Sequence, residues 1–288
     1  MNLYFRELTA EDLPAILDIS KEIWEGYDYV PNVIERWLRE ESSMAYGAFL
    51  DESKKELIGF GRVKIFPNGV AWLEGGRVKV SHQKQGIGRD LMKYAIDYAI
   101  QVGAKIAQYD TSSRNFGSLA LAKYFGFREK KRMEVLFCKA NDVKLTNKPI
   151  PSVNCITLKE AKEIYNKIDI GPGDEVCIGW SYIPIQYLLE KNSSWLKKDN
   201  TIMQLIRITS SPVQEGPEEK DIWMITYGDD NAAFNLIQYA ISNETKNQKI
   251  EYLSVFCSPE VAKMIQEMGF SYWEDEPNGV VLVEKEIT

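Results

Sequence analysis

Histidine is nearly absent from this sequence of 288 residues, which contains only His82. There are four cysteines, Cys138, Cys155, Cys177 and Cys257, and no two of them have the short spacing of a metal-binding or redox pair. These shortages argue against a metal centre and against a nucleophile that needs a neighbouring histidine. Widely spaced cysteines are typical of buried, free thiols in a reducing compartment, so we expect a cytoplasmic location.

The sequence also lacks a long apolar run and an excess of basic residues. No apolar stretch approaches the ~18 residues that span a bilayer, and the first residues do not have the pattern of a signal peptide. The net charge is −7, whereas a nucleic-acid-binding domain normally has a basic surface. With 44% hydrophobic and 27% charged residues, the composition is typical of a soluble globular protein. We therefore expect neither a nucleic-acid partner nor a membrane partner.

What the sequence does contain is a glycine-rich loop, Gln83–Arg89, between a predicted strand and a predicted helix. The strand, over residues 71–80, is rich in apolar and β-branched residues. The helix, over residues 90–100, has apolar residues at helical spacing. The loop is not the dinucleotide-binding fingerprint, because the third glycine is missing, and it lacks the Gly-Lys-Ser/Thr ending of a P-loop.

The chemistry of this loop suits a phosphate group. Backbone N–H groups in the first turn of a helix have no intrahelical acceptor, and the helix dipole adds partial positive charge there. Gly86 and Gly88 would allow a diphosphate to approach the backbone, and Lys84 and Arg89 add positive charge. An ordinary strand-to-helix turn is the alternative interpretation, because a Gly-x-Gly turn alone is weak evidence.

Four segments of the chain, taken together and in order, resemble the GCN5-related N-acetyltransferase (GNAT) family. The loop matches the family signature Arg/Gln-x-x-Gly-x-Gly/Ala through Gln83, Gly86 and Gly88. The other three segments are residues 5–13, 56–63 and 115–127. The last of these resembles the family's later segment, Asn-x-x-Ala followed by Tyr-x-x-Gly-Phe, and here reads Asn-x-x-Ser followed by Tyr-x-Gly-Phe. The resemblance extends over roughly residues 3–138.

This resemblance implies an α/β (α+β) fold of the GNAT type, a mixed, mostly antiparallel sheet flanked by helices. Residues 1–140 would form an N-terminal catalytic domain, and the polar, proline-containing residues 141–151 would form a linker. Residues 152–288 repeat the order of predicted helices and strands, and Gly269-Phe270 follows a helix there as Gly126-Phe127 does in the first half. We therefore expect a second, degenerate GNAT-like domain.

The second domain is predicted to lack the phosphate loop. Gly228-Asp229-Asp230-Asn231 precedes its long predicted helix, at the position that corresponds to the loop. Two carboxylates there would repel a diphosphate. The hypothesis is a tandem pair with one acetyl-CoA site per chain, in which the second domain completes the substrate cleft or the fold.

The resemblance implies acetyl-CoA as co-substrate and no metal. In the family, the strand before the loop separates from its neighbour, and backbone groups at its end bind the pantetheine arm and the thioester. The implied cofactor-binding residues are Val78, Val80, Gln83, Lys84, Gln85, Gly86, Ile87, Gly88, Arg89, Asn115 and Ser118. Asn115 and Ser118 could instead be simple helix caps.

Two residues match the family's catalytic positions. Glu74 corresponds to a glutamate that acts as general base, and such a base is useful because amines are largely protonated near neutral pH. The alternative is an exposed strand carboxylate or an ion-pair partner of Arg77. Tyr124 corresponds to the tyrosine that protonates the coenzyme A thiolate, and its alternative role is a core aromatic.

Substrate choice in the family usually depends on the segment between the first two helices. Here residues 23–31 provide Tyr27, Asp28 and Tyr29, which suit an aromatic pocket with one carboxylate for a cationic group. Alternatively, Trp24, Tyr29 and Trp37 simply pack the two helices together.

One branch of the family, the histidine N-acetyltransferase-like group, is the most similar in residues 28–31, 37–38 and 72–78. That similarity implies acetylation of the α-amine of a free amino acid, with Arg77 binding its carboxylate. Gly76, Val80 and Gln83 depart from the usual residues of this branch, which weakens the inference of histidine as the substrate.

The sequence therefore predicts an acetyl-CoA-dependent N-acetyltransferase acting on a primary amine of a small molecule, in a monomer or homodimer. The alternatives are a protein or peptide N-acetyltransferase and a catalytically idle CoA-binding module.

Overall fold

The computed structural model describes residues 3–26, 28–146, 152–168, 173–189, 193–209, 220–247 and 250–287. The strands in these ranges are β1 Tyr4–Glu7, β2 Ser43–Phe49, β3 Leu57–Ile65, β4 Val70–Val78, β5 Ile106–Ser112, β6 Arg128–Lys139, β7 Asn154–Ile156, β8 Glu175–Cys177, β9 Tyr182–Pro184, β10 Ser193–Lys198, β11 Thr201–Thr209, β12 Lys220–Tyr227, β13 Tyr252–Cys257 and β14 Gly279–Glu286. The helices are α1 Leu13–Lys21, α2 Ile34–Trp37, α3 Ile87–Gln101, α4 Phe116–Phe125, α5 Leu158–Tyr165, α6 Asp230–Asn247 and α7 Pro259–Gln266.

The chain forms two compact units that are interleaved in sequence. The first contains residues 1–109, 117–128 and 283–288, and the second contains residues 110–116 and 129–282. This division differs from the expected one at residues 140 and 152, because β6 belongs to the second unit and the end of β14 to the first. Residues 147–151 of the expected linker lie outside the described residues.

In the first unit the strand order is β1-β2-β3-β4-β5, followed by the second half of β14. Neighbours from β1 to β4 are antiparallel, and β4 and β5 are parallel. One core cluster of this unit joins α1 and α2 to the sheet through buried side chains that include Ile16, Ile34 and Phe60. The expected mixed, mostly antiparallel sheet with flanking helices is confirmed.

Helix α3 is amphipathic and has a glycine at each end. Its buried residues Ile87, Leu91, Ala95 and Ala99 recur four residues apart, which places them on one face of the helix. The helix ends at Gln101 with Val102 as its C-cap, and the following Gly103 adopts a φ of +82°, a left-handed conformation that glycine reaches without steric cost.

The second unit repeats the strand pattern of the first. From β7 its strand order is β7-β10-β11-β12-β13, with antiparallel neighbours up to β12 and a parallel β12–β13 pair. Next to β13 lies β6, which is antiparallel to it. Strands β8 and β9 form a separate two-stranded sheet. Helices α6 and α7 cover a core that includes Leu236, Ile265 and Val255.

Most of the elements predicted for this half are confirmed, and two expectations need correction. The predicted helices near residues 158–165, 231–241 and 259–268 are α5, α6 and α7. In the first half, the strand predicted to reach residue 80 ends at Val78, so that Val80 lies in a short 3-10 turn. Cys138, Cys177 and Cys257 are buried as free thiols, but Cys155 is exposed because β7 is an edge strand.

Candidate active site

The loop Gln83–Arg89 forms the entry to α3. Gly86 caps the helix with a φ of +89°, and its carbonyl accepts hydrogen bonds from the N–H groups of Arg89 and Asp90 at 3.0 and 3.1 Å. The N–H groups of Ile87 and Gly88 have no hydrogen-bond acceptor among the described residues. This helix start therefore keeps two donors available for an anion.

The remaining loop residues hold this shape and add charge. Gln83 Nε2 donates to the Val78 carbonyl at 3.2 Å, and Gln85 Nε2 donates to the Ser81 carbonyl at 3.4 Å. Lys84 has a φ of +61° and is exposed, as is Arg89. The free donors, the glycine cap and the two exposed cations together fit a diphosphate.

The pairing of strand β4 with β5 ends before β4 reaches the loop. Its parallel pairing with β5 covers Val70–Trp72 opposite Ile106–Gln108, whereas β4 continues to Val78. The expected separation of this strand from its neighbour is confirmed. One edge of Leu73–Val78 therefore has backbone groups that no strand occupies in the described part of the chain, as binding of an extended pantetheine arm requires.

A β-bulge lies in the same stretch of β4. Arg62 pairs with Glu74 and Phe60 with Arg77, so Gly61 alone faces Gly75 and Gly76. Gly75 has a φ of +68°, and a Cβ atom there would lie 2.6 Å from the ring of Trp37. Only glycine fits this position, and the bulge changes the direction of the strand just after Glu74.

Glu74 belongs to a buried cluster of charges. Arg62 donates hydrogen bonds to the carboxylates of Glu74 and Glu40 and, at 3.0 Å, to Ser43 Oγ. Lys64 pairs with Glu40 at 2.7 Å. The side chain of Arg62 is 3% exposed and that of Glu74 is 22% exposed. The alternative interpretations of Glu74, an exposed carboxylate or a partner of Arg77, are therefore wrong.

Burial determines the protonation behaviour of Glu74. Loss of hydration raises the pKa of its carboxyl group above the ordinary 4.5, and the positive charge of Arg62 offsets part of that rise. A carboxylate with a raised pKa is a better proton acceptor than one with an ordinary pKa. Glu74 is thus held in place by Arg62, and its surroundings raise the pKa of its carboxyl group.

Tyr124 is brought close to the start of α3. A Cβ atom on Gly88 would lie 3.6 Å from Leu121 and 4.0 Å from Val78, so α4, the first turn of α3 and the end of β4 are adjacent. The guanidinium of Arg89 lies 5.9 Å from the centre of the Tyr124 ring. Tyr124 is 67% exposed, which rules out the alternative role as a core aromatic.

Two of the predicted substrate-binding residues bind each other. Arg77 Nη2 and Nε donate to the two carboxylate oxygens of Asp28 at 2.7 and 3.1 Å, and Nη1 donates to the Gly76 carbonyl. The side chains of Arg77 and Asp28 are 8% and 1% exposed. While this pair is formed, the Arg77 guanidinium is not available for bidentate binding of a substrate carboxylate. The Asp28 carboxylate is likewise not available to a cationic group.

Aromatic rings cover this ion pair. The Arg77 guanidinium lies 4.4 Å from the ring centre of Trp24 and 5.3 Å from that of Tyr29. Trp24 and Tyr29 are 55% and 42% exposed, whereas Trp37 is buried and meets Tyr29 edge-on. Trp37 therefore has the packing role, and the other two form an accessible aromatic surface. Tyr27 lies outside the described residues.

The other predicted cofactor residues are dispersed. Val78 ends β4, and Val80 is 45% exposed in the turn that follows. Ser118 belongs to the first unit, where its carbonyl accepts from the Tyr109 hydroxyl at 2.9 Å. Asn115 belongs to the second unit and its N–H donates to the Ser112 carbonyl. Asn115 directly precedes α4 and Ser118 lies in its first turn.

Sequence reasoning missed the residues that hold Glu74, namely Arg62, Glu40, Lys64 and Trp37. The available signal was Arg62 itself, a charged residue in the middle of the apolar, glycine-containing strand β3. A buried charge needs a partner, and the register of β3 with β4 supplies Glu74. That register continues unbroken from the β3–β4 turn, where Ile65 pairs with Ala71, to the pair of Arg62 and Glu74.

The counterpart of the loop in the second unit is closed. Asp229 Oδ1 accepts from the Ala232 N–H at 2.9 Å at the start of α6, and Asp230 Oδ1 accepts from Ser258 Oγ at 2.6 Å. Parallel pairing of β12 with β13 extends to Ile225, close to the end of β12 at Tyr227. The carboxylates thus take the place that an anion would need.

None of the helices in the described residues is long and apolar enough to cross a membrane. Nor do these residues contain a cluster of three or more histidine, cysteine or acidic side chains that could hold a metal ion.

Residues 6–127 match the model of the Acetyltransferase (GNAT) family. A putative acetyltransferase from Pyrococcus horikoshii has a TM-score of 0.59 and 17% identity, and the alignment covers 99% of this chain and 90% of that chain. A putative acetyltransferase from Thermoplasma acidophilum has a TM-score of 0.54 and 17% identity, with coverage of 98% and 99%. At these identities the similarity shows a shared fold along the whole chain. Comparison with curated proteins gave no significant match.

Proposed function

Through its domain at residues 6–127 this chain belongs to the GNAT acetyltransferase family, and from that premise we propose its acceptor and its catalytic residues. The acceptor is a primary amine of a small molecule, the α-amine of a free amino acid. The observation that carries the proposal is the joint placement of a helix start with free N–H donors, an open strand edge and a partly buried carboxylate along β4 and α3.

Each part has one role in the transfer. The donor, acetyl-CoA, brings a thioester whose C–S bond breaks as the amine nitrogen bonds to the carbonyl carbon. The N–H groups of Ile87 and Gly88, with Lys84 and Arg89, bind the diphosphate. Backbone groups of β4 up to Val78 and, after it, of Val80 align the pantetheine arm.

Protons move through two side chains. Glu74 accepts a proton from the ammonium group of the substrate, directly or through one water molecule, and this leaves the neutral amine that attacks the thioester. An α-amine has a pKa of ~7.7–8.0, so it needs only a modest base near neutral pH. Tyr124 gives its hydroxyl proton to the departing thiolate, and its exposure next to the start of α3 supports this assignment.

The acceptor class is supported by the surface around Arg77. The ion pair with Asp28 neutralises its charge, and the exposed rings of Trp24 and Tyr29 provide a flat apolar wall. Such a wall accepts the uncharged part of a small amine, or its cation over a ring face. Tyr27 remains a predicted contact, as do Asn115 and Ser118 for the coenzyme.

The proposal extends to the organisation of the chain. Residues 152–288 are proposed as a degenerate GNAT-like domain without a coenzyme site, which the repeated strand pattern and the capped start of α6 support. Free thiols at Cys138, Cys155, Cys177 and Cys257 support a cytoplasmic location. The chain is proposed to act as a monomer or homodimer.

The test is a thiol-release assay with acetyl-CoA against free amino acids, polyamines and peptides. We expect turnover with small amines and a 10²–10⁴-fold lower kcat for Glu74→Gln. Glu35→Gln, which alters an exposed glutamate, is the matched control and leaves kcat unchanged. Turnover of peptides alone would favour the protein acetyltransferase, and coenzyme binding without turnover of any amine would favour the idle module.

A further inference from the structure

The second unit contains a cavity of about 370 Å³ that plays no part in the proposed acetyl transfer. It lies at the carboxyl ends of the parallel strands β12 and β13, where open α/β sheets place their ligand sites. Its walls come from β6, from the end of β12, from the starts of α6 and α7, and from α5, β8 and β9. All of its lining residues belong to the second unit.

One wall of the cavity carries buried positive charge. Lys130 pairs with Glu175 Oε1 at 2.9 Å, and Lys131 donates to the carbonyls of Glu175 and Gly173 at 2.7 and 3.1 Å. The side chains of Lys130 and Lys131 are 12% and 8% exposed, and that of Glu175 is 4% exposed. Burying three charges is unfavourable compared with an apolar wall of the same volume, so this arrangement is expected where a polar ligand is bound.

A buried hydroxyl on the same cavity has no partner. Tyr182 is 2% exposed, and its hydroxyl forms no hydrogen bond within the described ranges. The two neighbouring tyrosines are satisfied, since Tyr165 donates to the Glu175 carbonyl at 2.5 Å and Tyr227 to the Cys177 carbonyl at 2.7 Å. A buried hydroxyl without a partner is rare and unfavourable, so the Tyr182 hydroxyl is a donor available to a ligand in this cavity.

The opposite wall is acidic. Asp230, in the first turn of α6, lines the cavity, and one of its oxygens accepts from Ser258 Oγ at 2.6 Å. Strand β13 separates β6 from β12, so the lysine-bearing strand and the strand that leads into α6 are about 10 Å apart. Arg132, which also lines the cavity, is neutralised by Glu129 at 2.7 Å.

We propose that this cavity binds a small zwitterion of the size of a free amino acid. Its carboxylate accepts a hydrogen bond from the Tyr182 hydroxyl next to the Lys130 and Lys131 wall, and its ammonium group pairs with Asp230. A diphosphate does not fit, because Asp229 caps the helix and Asp230 adds a second negative charge.

The test is calorimetric titration of the full chain, without acetyl-CoA, by L-alanine, L-leucine and L-phenylalanine in turn. We expect at least one of them to bind. Two analogues of that amino acid are compared with it: its amide, which lacks the carboxylate, and the carboxylic acid that lacks the amine. Each analogue is expected to bind at least tenfold more weakly. Hydrogen exchange with the bound amino acid slows at the starts of α6 and α7.

Tyr182→Phe removes only the hydroxyl and is expected to weaken binding about tenfold. Tyr239→Phe, on α6 but away from the cavity, is the matched control and leaves the affinity unchanged. The proposal is overturned if none of the three amino acids binds, if the acid lacking the amine binds equally well, if Tyr182→Phe has no effect, or if protection from exchange occurs only in the first unit.

Discussion

Arg62 shows how one residue can hold in place the carboxylate of Glu74, the proposed general base. It is 3% exposed, it joins Glu74 to Glu40, and its guanidinium lies 4.9 Å from the ring centre of Trp37. An arginine suits this position because its planar fork donates to two carboxylates at once, which a lysine cannot reproduce. Arg62 is therefore a positioning residue that also affects the proton affinity of Glu74.

Arg62→Gln is expected to move the acidic limb of the pH–rate profile towards higher pH. Glu74 already has a pKa above 4.5, and the positive charge of Arg62 lowers that pKa. Without the charge the carboxyl group holds its proton to a higher pH, so the base form appears later. The profile of kcat against pH measures this shift, and Arg39→Gln, from an exposed ion pair, is the control. An unmoved limb with reduced kcat would mean that Arg62 has only a structural role.

The Asp28–Arg77 pair is expected to act as one energetic unit. Because both side chains are less than 10% exposed, Asp28→Asn or Arg77→Gln alone leaves a buried charge unpaired and lowers the free energy of unfolding by about 3 kcal/mol. The double variant should lose much less than the sum of the two, with a coupling of about 2 kcal/mol. Urea unfolding of all four proteins measures the coupling, and additive losses would contradict the pairing.

At the scale of elements, the position of the candidate site depends on where β4 and α3 end and begin. Strand β4 pairs with β5 over three positions only, and the bulge at Gly75 and Gly76 lies beyond them. Helix α3 begins at the point where the strand edge is open, so its free N–H donors continue the row of backbone groups. The residues of the candidate site therefore lie at the ends of these elements rather than at their centres.

Substitutions at the two end glycines of α3 separate stability from coenzyme binding. Gly86 and Gly103 have φ values of +89° and +82°, so alanine at either position is strained and costs about 1 kcal/mol. Only Gly86→Ala is expected to raise KM for acetyl-CoA, about tenfold, because it lies beside the free N–H groups. Thermal unfolding and initial rates are measured on both variants. An equal effect of Gly103→Ala on KM would show that the loop has no specific role.

At the scale of the whole chain, the same strand pattern occurs twice but the anion-binding helix start occurs once among the described residues. In the first unit Gly86 leaves two N–H groups without acceptors, whereas in the second Asp229 occupies the first turn of α6. The fold alone therefore does not provide a coenzyme site. The two units differ in the residues at the starts of α3 and α6.

Calorimetry is expected to give one acetyl-CoA per chain. Both features of the second unit, the capped α6 and the nearly complete β12–β13 pairing, oppose a second coenzyme. Gly86→Ala should weaken that single binding event. A stoichiometry of two, or binding that is unchanged in the variant, would contradict the proposal.

Deletion of residues 283–288 is expected to destabilise the first unit. In that unit Gln108 Nε2 donates to Glu284 at 2.6 Å, and the Ile287 N–H donates to the Lys105 carbonyl at 2.8 Å. Without these residues the edge of β5 in the first unit is left unpaired. Circular dichroism during heating, with the full chain as reference, measures the loss. A deletion variant with the same melting temperature would show that the segment is dispensable.

The sequence by itself determined the family, the loop and the positions of most elements. The glycine spacing around Gly86 and Gly88 is local, and the apolar periodicity of α3, α5 and α6 reports burial of one helix face directly. The acidic residues Asp229 and Asp230 already indicated a closed helix start, which their hydrogen bonds explain.

Only the tertiary structure decided which charges meet. Arg62 and Glu74 are brought together by strand register and Asp28 and Arg77 by the packing of distant segments, and a bulge lies between Glu74 and Arg77 on β4. For the same reason the interleaving of the two units was not foreseen, since membership of β6 and the end of β14 depends on long-range pairing. Periodicity describes the environment of a residue along its own element, whereas contacts between elements depend on the three-dimensional arrangement of the chain.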